Sequence, residues 1–124
     1  MPKSNSNRKY ELEERLIKFA GMIGELIATI KRTNKTQNLI DQLTRSSESA
    51  ALNYGEAQVA ESKPDFIHKI SVVLKELKET RVAIKVIKIK KLCTELELQE
   101  KCDNECSELV AIFITSVGTS RRNR

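Results

Sequence analysis

The sequence predicts an all-α protein, an antiparallel up-down-up-down four-helix bundle. Apolar residues recur at steps of three and four along most of the 124-residue chain, the signature of amphipathic helices. Four glycines and two prolines are too few for the turns of an all-β fold. The breaks near residues 33–36, 61–64 and 91–94 cut the chain into four segments of helical length. This length makes one domain, and with aromatics at 4% the core must be filled by Leu, Ile, Val and Ala.

The first helix is expected over residues 9–32, after a flexible N-terminus of residues 1–8. Leu12, Leu16, Phe19, Ile23, Leu26 and Ile30 form its inner stripe. Gly21 and Gly24 each cost about 1 kcal/mol of helix propensity against Ala. They mark either a close neighbouring backbone or tolerance at solvent-facing positions.

Asn34 and Thr36 are candidate caps for a second helix running to about Ala60, with Leu39, Leu43, Ala50, Tyr54 and Ala57 inward. Its middle is small, with Ser46, Ser47, Ser49, Ala50 and Ala51. Small side chains allow short interhelix distances, and no base accompanies these serines to make one a nucleophile.

Ser62-Lys63-Pro64-Asp65 reads as a helix start, with Ser62 as cap, Pro64 in the first turn and Asp65 completing a Ser-x-x-Asp arrangement. The third helix then runs to about Lys90. Phe66, Ile70, Val73, Leu74 and Leu77 line its first half, and Ile84 and Ile87 continue that stripe. Val82, Val86 and Ile89 fall on a second stripe roughly opposite. A helix apolar on two sides must bury both, so Val82, Val86 and Ile89 are the candidate surface for self-association.

Thr94-Glu95-Leu96-Glu97 reads as a capping box after a turn near 91–94. The fourth helix is expected to reach about Val117, with Cys102, Cys106, Leu109, Val110, Phe113 and Val117 inward. Gly118 is its expected stop, which bounds the bundle at 9–118 and leaves 119–124 as a flexible basic tail.

The net charge is +5, and it is unevenly spread. Residues 1–62 carry +1, residues 63–93 carry +6 and residues 94–124 carry −2. On the third helix Lys78, Arg81, Lys85 and Lys88 follow three- and four-residue steps, which places them within about 80° of one another. With Arg121 and Arg122 in the tail, this stripe is the candidate nucleic-acid contact, suited to phosphates without reading bases. The alternative is a solvated face paired with the acidic fourth helix, which carries Glu95, Glu97, Glu100, Asp103, Glu105 and Glu108. Aromatic platforms for stacking bases are nearly missing.

Catalytic and metal chemistry finds little support. Cys93, Cys102 and Cys106 are three thiols without a fourth ligand, and they read as buried small apolar residues. His68 has neither Cys nor a carboxylate pair at ligand spacing. Phosphate-loop, dinucleotide-binding and zinc-protease motifs are absent. No metal or cofactor is expected. No apolar run approaches the roughly 18 residues of a membrane span, and the polar N-terminus lacks a signal-peptide core, so a cytoplasmic location away from membranes is expected.

One further pattern is not required by amphipathicity. The segments Asn53-Tyr54-Gly55-Glu56-Ala57, Asp65-Phe66-Ile67-His68-Lys69 and Lys75-Glu76-Leu77-Lys78-Glu79-Thr80 set polar residues densely through helical sequence. In them the chain resembles a bacterial four-helix bundle family related to the 23S rRNA intervening-sequence proteins. The matching family segments read Asn-Tyr-x-Glu-Ala, Asp-Phe-x-x-Lys and Lys-Glu-x-x-Glu-Thr. After Thr80 many members carry an aromatic pair, where this chain has Val82-Ala83-Ile84. The resemblance implies a bundle fold and an association with large-subunit ribosomal RNA genes. It also implies a ring of five subunits, the form of a related retroelement accessory protein.

Asn53, Tyr54, Glu56, Asp65, Lys69, Glu76 and Glu79 are accordingly read as structural polar positions that fix helix register, with Lys69 and Arg45 as partners for the acids. The competing reading makes Glu56 and Glu79 a catalytic carboxylate pair. The functional expectation is a non-enzymatic, homo-oligomeric scaffold, a pentamer associating with RNA through its basic face. The alternative is a protein-interaction module with no nucleic-acid role.

Overall fold

The computed structural model describes residues 5–123, with side chains from Glu11 onward. Four helices follow in order: α1 (Asn5–Ala28), α2 (Gln37–Gln58), α3 (Lys63–Lys90) and α4 (Leu96–Arg122). Among the described residues there is no strand. α1 packs on α2 and α4, and α3 packs on the same two helices. Side-chain contacts join α2 to α3, α3 to α4 and α1 to α4. Ser46 meets Thr80, Glu56 meets Lys69, Lys88 meets Asp103, and Arg15 meets Glu105.

The expected stripes form the core. Leu16, Phe19, Ile23 and Leu26 of α1 are fully buried, as are Leu43 and Ala50, Val73, Leu77, Ile84 and Ile87, and Cys102, Cys106, Leu109 and Phe113. Each of the large side chains contributes about 1.5–3 kcal/mol by leaving water. On α2 the position beside the expected one is the deeper: Ile40 is buried, whereas Leu39 is half-buried at a groove. Ser46 and Ser47 join the interior, and Ser47 returns its hydroxyl to the Leu43 carbonyl. A Cβ at Gly21 or Gly24 would meet nothing within 4 Å, so no neighbouring backbone presses on α1 there.

The helix ends depart from expectation where local hydrogen bonds compete. α1 begins at Asn5, earlier than residue 9, and residues 1–4 of the expected flexible N-terminus lie outside the described residues. It stops at Ala28, short of residue 32, because Thr29 Oγ1 donates to the Leu26 carbonyl at 2.7 Å and the last turn tightens. Thr36 occupies the cap position of α2 without capping it. Its hydroxyl donates to the Lys31 carbonyl at 2.6 Å and accepts from the Thr33 amide at 2.9 Å, bracing the turn. Ser62 caps α3 as expected, accepting from the Asp65 amide at 3.1 Å.

α3 ends on Lys91, which adopts the left-handed conformation at φ 55°. The Leu92 amide then reaches the Ile87 carbonyl at 3.1 Å and the Lys91 amide the Lys88 carbonyl at 3.2 Å, a Schellman closure built without glycine. The capping box expected at Thr94 does not form. Glu95 takes the cap position of α4, and no side chain caps it. The stop expected at Gly118 is also absent: α4 continues to Arg122, so residues 119–122 are helical, while Arg124 lies outside the described residues. A lone glycine in a helix interior lowers stability by about 1 kcal/mol but does not end a helix whose flanks pack.

Candidate nucleic-acid interface

α3 carries the candidate surface, and its two sides differ. Lys78 and Lys85, seven residues apart, are exposed and hold no ion pair among the described residues. Arg81 and Lys88, on the side nearer α4, are half-buried. Lys88 Nζ sits 2.5 Å from Asp103 Oδ2 and 2.8 Å from Glu100 Oε1. The hydrogen bonds to Asp103 and then Glu100 raise the Lys88 pKa above its ordinary value. Acidic α4 therefore engages the far end of the stripe and leaves Lys78 and Lys85 open.

Arg121 lies on the last turn of α4, where Nη2 donates to Ser71 Oγ at 3.4 Å. That bond brings it to α3, next to a groove of about 730 Å³. Leu39, Leu74, Val82, Val86 and Val117 give the groove an apolar floor, and Lys75, Lys78 and Arg121 stand on its rim with Glu79. Val82 is 60% exposed and Ile89 83% exposed, so the bundle leaves this second stripe largely uncovered. Arg122 points elsewhere, with Nη2 donating to Thr119 Oγ1 at 3.3 Å. Lys75 was not among the cations singled out by sequence. Its place one turn before Lys78 is the signal that finds it.

The polar positions of the three segments are distributed through the α2–α3 seam. Arg45 bridges two carboxylates, with Nη1 2.8 Å from Glu76 and Nη2 2.7 Å from Glu79. Beside it the buried hydroxyls of Ser46 and Thr80 meet at 2.7 Å, and Thr80 also donates to the Glu76 carbonyl. Glu56 pairs with Lys69 at 3.2 Å, near the α2–α3 turn. Glu56 and Glu79 are thus held by different cations. Asn53 stays within its own helix, donating to the Ser49 carbonyl at 2.9 Å. Tyr54 is buried edge-to-face against Phe113, with ring centroids 5.5 Å apart, and burial, then the charge of Glu13, raises its pKa.

The three cysteines are buried and unpaired by disulfides. Burial pushes the Cys102 thiol up to about 11 and the Cys106 thiol up to about 12. Both remain protonated at neutral pH, where a thiol is a poor metal ligand and nucleophile. Among the described residues no three His, Cys, Asp or Glu side chains are grouped to hold a metal ion, and no helix is long and apolar enough to cross a membrane.

Comparison with known proteins places this geometry. A crystal structure of a protein of unknown function from the S23 ribosomal protein family of Bacteroides thetaiotaomicron VPI-5482 superposes with a TM-score of 0.76. It is 27% identical, and the match covers 86% of this chain and 97% of that one. No curated protein matches the chain. The family model for 23S rRNA-intervening sequence proteins matches residues 8–115. The chain belongs to the 23S rRNA-intervening sequence protein family.

Proposed function

We propose that this protein is a non-enzymatic, self-associating scaffold that holds RNA by its phosphates. In this reading the four helices run up-down-up-down, and copies join through Val82, Val86 and Ile89 into a closed ring of five. The observation that carries it is the apolar groove rimmed by Lys75, Lys78 and Arg121, with Val82 exposed in its lining and Ile89 exposed further along α3. Self-association would take this apolar surface out of water. Cations on the rim survive burial of the floor, so assembly would repeat one weak phosphate contact around a ring. The stoichiometry and the ribosomal RNA come from the family resemblance.

The engagement of Lys88 by Glu100 and Asp103 favours a second reading, a protein-interaction module whose remaining charge serves solubility. Retention on ribosomal RNA at graded salt separates the two. Phosphate contacts lose affinity linearly in log–log terms as salt rises, whereas a protein-interaction module shows no such retention.

A further inference from the structure

The large apolar side chains left exposed include two matching pairs. On α3, Val82 and Ile89 are seven residues apart, and Lys78 precedes Val82 by one turn. On α2, Leu52 is 70% exposed, and Val59, at the C-cap, is 79% exposed. They too are seven residues apart, and Glu48 precedes Leu52 by one turn. Steps of four and seven keep each set on one helix face, with about 10.5 Å along the axis between its two apolar members. The two faces share one spacing and carry opposite charge at the leading position. Nothing else among the described residues repeats it: Ile17 stands alone on α1, and Leu96 and Ile114 lie far apart along α4.

The surroundings repeat the contrast. Lys75, Lys78 and Arg121 rim the α3 groove, where the carboxylate of Glu79 is already held by Arg45. The ridge formed by Leu52 and Val59 is flanked instead by the exposed acids Asp41, Glu48 and Glu56. Arg45 shares this side of α2 but is turned to Glu76 and Glu79. Asp41 meets Arg32 at 3.3 Å and Glu56 meets Lys69 at 3.2 Å. Glu48 holds no ion pair among the described residues. Pairing groove to groove about a two-fold axis would set the rim cations against their own kind, which is unfavourable.

We propose that the groove of one copy receives the α2 ridge of a second copy, in a head-to-tail contact. Leu52 packs by Val82 and Val59 by Ile89, so α2 of one copy runs parallel to α3 of the next and Glu48 lies by Lys78. Apolar contact carries the assembly, and the exposed charges set its direction. Glu48 neutralises one rim cation and leaves the rim positive for phosphate. The inference rests on the self-association reading and names the surface that fills the groove.

Two variants, each with one face spoiled, test it. Leu52→Arg sets a cation against the rim and leaves the groove sound, whereas Val86→Glu spoils the groove and leaves the ridge sound. Each alone should scatter light as a monomer with its helicity kept. Mixed in equal amounts they should give a heterodimer of twice the monomer mass, because one sound groove meets one sound ridge. Oxidising a Leu52→Cys, Val82→Cys double variant should link copies into products larger than a dimer. Leu52→Arg protein that assembles as wild type does, or oxidation that stops at dimers, overturns the head-to-tail contact and leaves self-association standing. Wild-type protein that is itself a monomer ends both.

Discussion

Arg45 Nη1 donates to Glu76 Oε2 at 2.8 Å, and Glu76 is a carboxylate with 4% of its surface exposed. Its partner is half in water, so the pair joins the interior of the α2–α3 seam to its rim. Removing the cation leaves a buried charge, which costs more than the pair itself contributes. Arg45→Ala should therefore destabilise the protein by about 2 kcal/mol in urea unfolding, less than a fully buried pair because Arg45 is exposed. Glu76→Gln in the same background should restore much of the loss. An Arg45→Ala protein as stable as wild type would show that solvent already satisfies Glu76.

Two glycines on α1 stand in open space. Gly21→Ala and Gly24→Ala should each stabilise the protein by about 0.5–1 kcal/mol, since a helix interior favours Ala and neither new Cβ meets a neighbour. A loss of stability in thermal melts would reveal a packing surface over α1, such as another subunit.

The buried thiols give a pH dependence with a fixed sign. Cys102 and Cys106 ionise near 9.0 when unfolded, but at about 11 and about 12 in the fold. Their contribution is present in full below pH 9 and lost as pH rises through the folded values. Urea midpoints should fall between pH 8 and pH 10.5, and the fall should be smaller for the Cys102→Ala/Cys106→Ala double variant. Equal falls would assign the dependence to other groups.

Val86→Glu should convert an assembled protein to monomer by placing an unpaired charge on the groove floor. Light scattering reads the change directly. Wild-type protein that scatters as a monomer at micromolar concentration would end the self-association reading.

The two sides of the basic stripe should respond differently to charge reversal. Lys78→Glu and Lys85→Glu should each lower the salt slope of RNA retention by about 0.7–0.9. Lys88→Glu should mainly reduce stability, because it sets a third acid against Glu100 and Asp103. Loss of RNA retention only with Lys88→Glu would place the contact on the α4 side.

Much of the fold was legible because it depends on local rules. The heptad from Leu16 to Ile30 is buried as its spacing requires, and Ser62 caps α3 because serine, proline and aspartate agree there. α2 was harder to read: serines at its centre blur the apolar stripe, so Ile40 went unnoticed beside Leu39. Termini misled wherever a single residue was taken as punctuation. Gly118 lies within α4, and Lys91 turns α3 without a glycine. The candidate site was legible as a basic stripe but not as a shape. Whether Lys88 meets water or Asp103 depends on how α3 and α4 rotate against each other. That is not written in the spacing of one helix.

The hydrogen bond between Ser46 and Thr80 bears on how this seam can drift over generations. Both hydroxyls are hidden from water, but they lean on each other unequally: Thr80 keeps the Glu76 carbonyl when Ser46 is lost, whereas Ser46 loses its partner when Thr80 is lost. The two sites are thus epistatic in one direction: removing the Thr80 hydroxyl is costly while Ser46 remains and far milder once Ser46 has become apolar. Lineages should lose the Ser46 hydroxyl before the Thr80 hydroxyl, and a polar pair can persist in this way without ever touching RNA, substrate or partner.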